Sequence, residues 1–169
     1  MANKKKVIGR EITVDFGEIK DVPAKVDTGA DSSAIWASDI FVDKDHNLHF
    51  KLFDKQSPYY TGTEHVVHEF SVAQTRSSLG EVALKYRVKI PICMAGRKVR
   101  ATFGLSERSG HNYPILIGRR TLSGKFIVDV SQTENLVTRK RTNSESLNEK
   151  MKKNPYKFYK EYYQEGKQK

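Results

Sequence analysis

At 169 residues the chain is long enough to bury one real core and too short for two domains of ordinary size. Hydrophobic residues make up 37% and charged residues 30%, as in a soluble globular protein; no apolar run approaches the roughly 18 residues of a membrane span, and a single cysteine, Cys93, excludes an intramolecular disulfide framework. The net charge of +10 is uneven: from Ser131 onward there are 10 Lys+Arg against 5 Asp+Glu, before it 20 against 15, which suggests a basic segment at 131–169 appended to a body at 1–130 rather than a nucleic-acid-binding fold.

Met1 to Lys6 is basic but only Val7-Ile8 follows, too short for the apolar core of a secretory signal, so the expected compartment is the cytoplasm. Ile12, Val14 and Phe16 alternate with polar residues, Gly17-Glu18 turns, and Lys20 to Val26 is a second strand. Trp36, the only tryptophan, reads as core or interface packing. Residues 41–64 are polar, with Pro58 and Gly62, and read as a loop-rich insertion. Glu69 to Arg76 forms one arm of a hairpin with a tip at Ser77-Ser78-Leu79-Gly80; its other arm carries the longest alternation, Val82, Leu84, Tyr86, Val88, Ile90 and Ile92. Cys93 falls in that apolar run and reads as a buried, inert thiol. Ala95-Gly96 turns the chain into Arg97 to Phe103. Ile115-Leu116-Ile117 is a short buried strand, Arg119 to Ser123 fits one helical turn stopped by Gly124, and Phe126 to Val130 is a last strand. Many short strands with turns between them predict an all-β barrel or sandwich. After Ser131 alternation stops; a helix fits Ser144 to Lys153, interrupted near Pro155, in a tail otherwise expected to be disordered.

Val26-Asp27-Thr28-Gly29-Ala30 places Asp-Thr-Gly after an apolar strand. Taken alone it fits an ordinary β-turn, since Asp and Gly are turn residues. Some 90 residues on comes Ile115-Leu116-Ile117-Gly118-Arg119, with the long hairpin between the two. This order resembles the retropepsin family of aspartic peptidases over roughly residues 7–130. Ala24 to Ala30, Leu105-Ser106-Glu107-Arg108-Ser109 and Pro114 to Arg120 look like a bacterial branch of that fold labelled an ATP-dependent zinc protease and linked to a glutamate ligase that modifies a ribosomal protein.

The resemblance implies a retropepsin-like barrel with one short helix after the Ile-Gly-Arg motif and a basic tail or helix. It also implies a hydrolase whose two carboxylates, about 3 Å apart, share one proton and activate a water. There is one Asp-Thr-Gly and no Asp-Ser-Gly, so the pair requires two copies related by a twofold axis. Asp27 is then the catalytic residue; Thr28, Gly29, Ala30, Asp31, Gly118 and Arg119 support its loop, with an Asp31–Arg119 ion pair. Ser77, Ser78, Leu79 and Gly80 form the flap tip over an extended peptide substrate. Arg108 is a candidate cleft residue for an acidic or C-terminal group, with a solvated loop arginine as the alternative. Against viral relatives, residues 41–64 look inserted and the flap tip has one glycine instead of several.

The branch label invites a search for zinc and ATP. The His-x-x-His pairs His46/His49 and His65/His68 would point to opposite faces of a strand, and no Walker pattern is present; no cofactor is expected. The tail, with Thr138-Arg139-Lys140-Arg141 and Tyr156, Phe158, Tyr159, Tyr162 and Tyr163 among lysines, suits RNA or ribosomal-protein contact or a solvated segment. Beside the peptidase stand a non-catalytic peptide- or protein-binding module, a ribosome-associated accessory protein, and an enzyme that trims glutamate tails.

Overall fold

A computed structural model describes residues 4–76, 80, 82–134, 136 and 144–164. The chain divides into two compact units, Met1–Val137 and Thr138–Lys169. The first contains β1 (Lys6–Ile8), β2 (Glu11–Phe16), β3 (Ile19–Val26), β4 (Ser33–Val42), β5 (Leu48–Leu52), β6 (Glu64–Val67), β7 (Ser71–Arg76), β8 (Val82–Met94), β9 (Arg97–Ser106), β10 (Ile115–Ile117), α1 (Arg119–Leu122) and β11 (Phe126–Val128).

Six of these strands close into a barrel. The pairing runs β10-β3-β2-β8-β9-β4, and β10 pairs with β4 as well as β3, so the ring has no free edge. Alternation decides what faces inward: Ile12, Val14 and Phe16 of β2 are buried, as are Val22, Ala24 and Val26 of β3. Phe103 lies at the centre, its ring 6.0 Å from that of Phe16. The expected turn at Ala95-Gly96 is a two-residue hairpin loop with both φ positive, 50° and 66°, the geometry that matches the twist of paired strands. Outside the ring, β1 lies parallel to β11, with Lys6 opposite Phe126 and Ile8 opposite Val128. Phe126 thus starts a shorter strand than its apolar run suggested.

Residues 41–64 are mostly turn and loop, as expected, but they also carry a strand that the sequence did not reveal. Strand β4 continues to Val42, and β5 and β6 extend it as an antiparallel three-stranded arm. Leu48, Phe50 and Leu52 are buried, with His49 and Lys51 on the other face, an alternation too short to stand out among the polar residues around it. Trp36 is buried, 6.5 Å from Phe53 in an edge-on contact. Cys93 is half-buried rather than buried.

In the second unit, α2 (Ser144–Lys153) stops at Asn154-Pro155, where the Asn154 Oδ1 accepts from the Lys157 amide at 2.9 Å and caps α3 (Pro155–Tyr159). A π-helical turn, Lys160–Gln164, follows. The helix that fits Ser144 to Lys153 is present with its interruption near Pro155, and the stretch 155–164 is helical as well. Rings four residues apart support it: Phe158 stacks on Tyr162 with centroids 4.5 Å apart, and Tyr159 on Tyr163 at 6.3 Å. Thr138 to Arg141 lies outside the described residues. Among the described residues, no helix is long and apolar enough to cross a membrane.

Candidate active site

The two motifs separated by some 90 residues meet because β10 lies between β3 and β4. It runs parallel to β3, with Ile117 opposite Val26, and antiparallel to β4, with Ile115 opposite Ile35. Ile115 and Ile117 are fully buried, which explains an apolar run too short to show a period. Asp27 is the first residue beyond β3, and its amide donates to the Ile117 carbonyl at 2.9 Å.

The Asp27 side chain is held by its own loop. Its Oδ1 accepts from the Gly29 amide at 3.0 Å and from the Ala30 amide at 3.2 Å. A Cβ at position 29 would stand 3.3 Å from that same oxygen. Asp27 and Ala30 are half-buried, while Thr28 and Gly29 are exposed in the single chain.

The loop's far side is tied to the segment after β10. The Arg119 amide donates to the Ala30 carbonyl at 2.8 Å, and the Arg120 amide to the Asp31 carbonyl at 3.2 Å. Gly118 is packed so closely that a Cβ there would lie 2.5 Å from the carbonyl carbon and oxygen of Ser32 and 3.0 Å from the Ala30 oxygen. The Gly118 amide donates to the Ser33 Oγ at 3.0 Å, and that hydroxyl shares a 2.8 Å hydrogen bond with the Thr121 hydroxyl. Ser33 and Thr121 are buried. Sequence reasoning missed both, since a lone small hydroxyl residue beside an apolar strand carries no pattern.

Asp31 does pair with Arg119, Nη2 to Oδ1 at 3.6 Å, but its nearer partner is Arg120, Nη2 to Oδ2 at 2.7 Å. All three side chains are more than half exposed, so solvent screens the pair. Arg108 is tied to its own segment. It is half-buried in the segment leading to β10, its Nε donates to the Tyr113 carbonyl at 3.1 Å, and burial lowers its pKa.

The predicted flap is an antiparallel hairpin of β7 and β8, with Val72 opposite Tyr86 and Gln74 opposite Leu84. Ser77, Ser78 and Leu79 lie outside the described residues; Gly80 is exposed with φ +83°. The alternation of β8 continues onto the hairpin after it has left the core: Val88 and Ile92 are buried, whereas Leu84 is 73% exposed and Val82 and Val72 are each 50% exposed. A single chain leaves this apolar face bare.

Among the described residues, no three His, Cys, Asp or Glu side chains converge as a metal site. His49 Nε2 lies 2.8 Å from Asp43 Oδ2 and its Nδ1 3.4 Å from Glu64 Oε2, and the His65 ring stacks on Phe50 at 5.2 Å.

Residues 7–140 match the sequence profile of the RimB-like family, described as retropepsin-like aspartic endopeptidase RimB. Among solved structures, the chain is similar to the crystal structure of a protein of unknown function from Legionella pneumophila subsp. pneumophila strain Philadelphia 1. The two are 18% identical with a TM-score of 0.56, over 79% of this chain and 99% of that one, which speaks for the fold alone. Comparison with curated proteins finds no match.

Proposed function

The chain belongs to the RimB-like family of retropepsin-like aspartic endopeptidases, and from that membership we propose that it is a homodimeric aspartic-type peptidase of the cytoplasm, with two Asp27 carboxylates as its catalytic pair. The observation that carries this reading is the state of the Asp27 loop. One carboxylate oxygen is fixed by two backbone amides, while the loop's outer residues, Thr28 and Gly29, stay exposed where a second copy would meet them.

In the dimer the two carboxylates share one proton and titrate as a unit. The ionised member takes a proton from a bound water as its oxygen bonds to the substrate carbonyl carbon. The protonated member donates to the carbonyl oxygen, giving a tetrahedral diol. Collapse breaks the C–N bond, and a proton passes to the departing amine. Thr28 would brace its partner's loop, and the flap would hold the substrate in an extended form through main-chain hydrogen bonds. The bare face of Val72, Val82 and Leu84 would close on substrate or on the partner subunit. Arg108 would favour substrates with an acidic or C-terminal group near it.

The test is hydrolysis of a peptide library by the wild type and by Asp27→Asn. Cleavage by the wild type, lost by about a hundredfold or more in the variant, is expected; equal rates would end the peptidase reading. The same bare flap face also suits a binding module without turnover, which would bind extended peptides equally well before and after that substitution and cleave none.

A further inference from the structure

A cavity of about 170 Å3 lies on the side of the barrel where α1 meets β8 and β9. Arg87, Arg100, Arg120 and Lys125 line it, together with the hydroxyl residues Ser32 and Thr102. No carboxylate is among its lining residues. The strands place these cations together. Arg87 is opposite Gly104, and Lys89 opposite Thr102, in the β8–β9 ladder. Arg87, Arg100 and Thr102 therefore stand on the face opposite buried Val88, Ala101 and Phe103. A wider groove of about 670 Å3 shares Arg87, Arg100 and Thr102 and adds Glu69, so the smaller cavity is the purely cationic part.

Two details make this more than a basic surface. The Arg87 Nε is buried from solvent and has no hydrogen-bond partner. A charged donor buried without a protein acceptor is costly to leave unpaired. Arg120 is offset by a carboxylate, reaching Asp31 at 2.7 Å, whereas the Lys125 ammonium, among the described residues, reaches the Ser123 carbonyl at 3.2 Å and no carboxylate. Like charges so gathered repel one another, and an anion with several acceptor oxygens relieves both the repulsion and the orphaned donor.

We propose that this cavity is an oxyanion site that takes one phosphate-type or carboxylate group, held by Arg87, Arg100, Arg120 and Lys125. Its size suits a single such group. Through Arg120 the bound anion adjoins the Asp31 end of the Asp27 loop, but binding needs no chemistry at Asp27, so the site stands or falls apart from peptidase activity.

The experiment is thermal unfolding of the full chain in inorganic phosphate against chloride at equal ionic strength. Phosphate at about five times its dissociation constant raises the midpoint by about 2–4 °C. Arg100→Gln, an exposed side chain that the fold does not need, weakens phosphate binding by about tenfold or more, and Arg87→Gln does the same. Lys98→Gln, a cation on the same hairpin outside the cavity, leaves the rise intact. In wild-type protein the Arg87 Nε–H resonance moves as phosphate is added. Acetate reproducing the rise identifies a carboxylate as the ligand group; phosphate alone doing so identifies a phosphoryl group. An equal rise in every variant, no rise at all, or an unmoved Arg87 resonance overturns the proposal.

Discussion

Gly118 shows how much of the site rests on the absence of one methyl group. A Cβ there would meet the Ser32 backbone at 2.5 Å, and backbone atoms have no rotamer with which to yield. Gly118→Ala is expected to lower stability by about 1–3 kcal/mol, the usual range for overpacking, read as a lower midpoint in denaturant. Under the proposed peptidase function it should reduce peptide hydrolysis by more than its unfolded fraction explains, because the displaced segment is the one that carries Ala30 and Asp31. The glycine was legible in the sequence, since the motif marks it. The neighbouring brace was legible only to within one residue: Asp31 was expected to meet Arg119, yet Arg120 comes 0.9 Å nearer. Two arginines in succession look alike in a sequence, and the direction each takes is set by the first turn of α1.

Among elements, the arm made by β5 and β6 has its own electrostatic fastening. His49 on β5 has its pKa raised, first by the hydrogen bond to Asp43 and then by Glu64 on β6. The Asp43 carboxyl is held well below the usual range, chiefly by the Asn47 amide and next by His49. A raised histidine pKa means that its contribution is fully present below the unfolded value of about 6.5 and is lost as pH rises through the folded value. The carboxyl contribution runs the other way: present above about pH 4, it fades as acid protonates Asp43. The arm is thus best fastened between about pH 4 and 6.5. Amide hydrogen exchange in β5 and β6 should be faster at pH 8.5 than at pH 6, after correction for intrinsic rates, and His49→Gln should erase the difference. That arm was missed in the sequence because the alternation in β5 lasts only five residues, between polar turns on both sides. The β8–β9 hairpin was legible because its apolar period persists over thirteen residues and a two-residue turn ends it. The helices after Ser144 were less so, since aromatic pairs four apart among lysines resemble low-complexity chain.

For the whole molecule, the closed ring of strands was readable as a class, but its closure was not. Which strands pair with β10 depends on contacts some 90 residues apart, and no local pattern encodes them. The proposed assembly gives a prediction at this scale. Sedimentation should show a dimer, and Asp27→Asn should preserve it, because the amide oxygen still accepts from the loop's backbone amides and the pair loses the one negative charge it carries. A strict monomer at the concentrations used for hydrolysis assays would sink the paired-carboxylate account.

The position of β10 also sets an order on synthesis. Because this strand is the wedge between β3 and β4, a growing polypeptide that has not yet delivered residue 117 has a gap in its wall and nothing to fix Asp27 from behind. The half-made protein bears two unpaired strand borders inviting adhesion. The backing of the Asp27 loop therefore arrives late, with the last strand of the barrel, and the same event closes its stickiest seam.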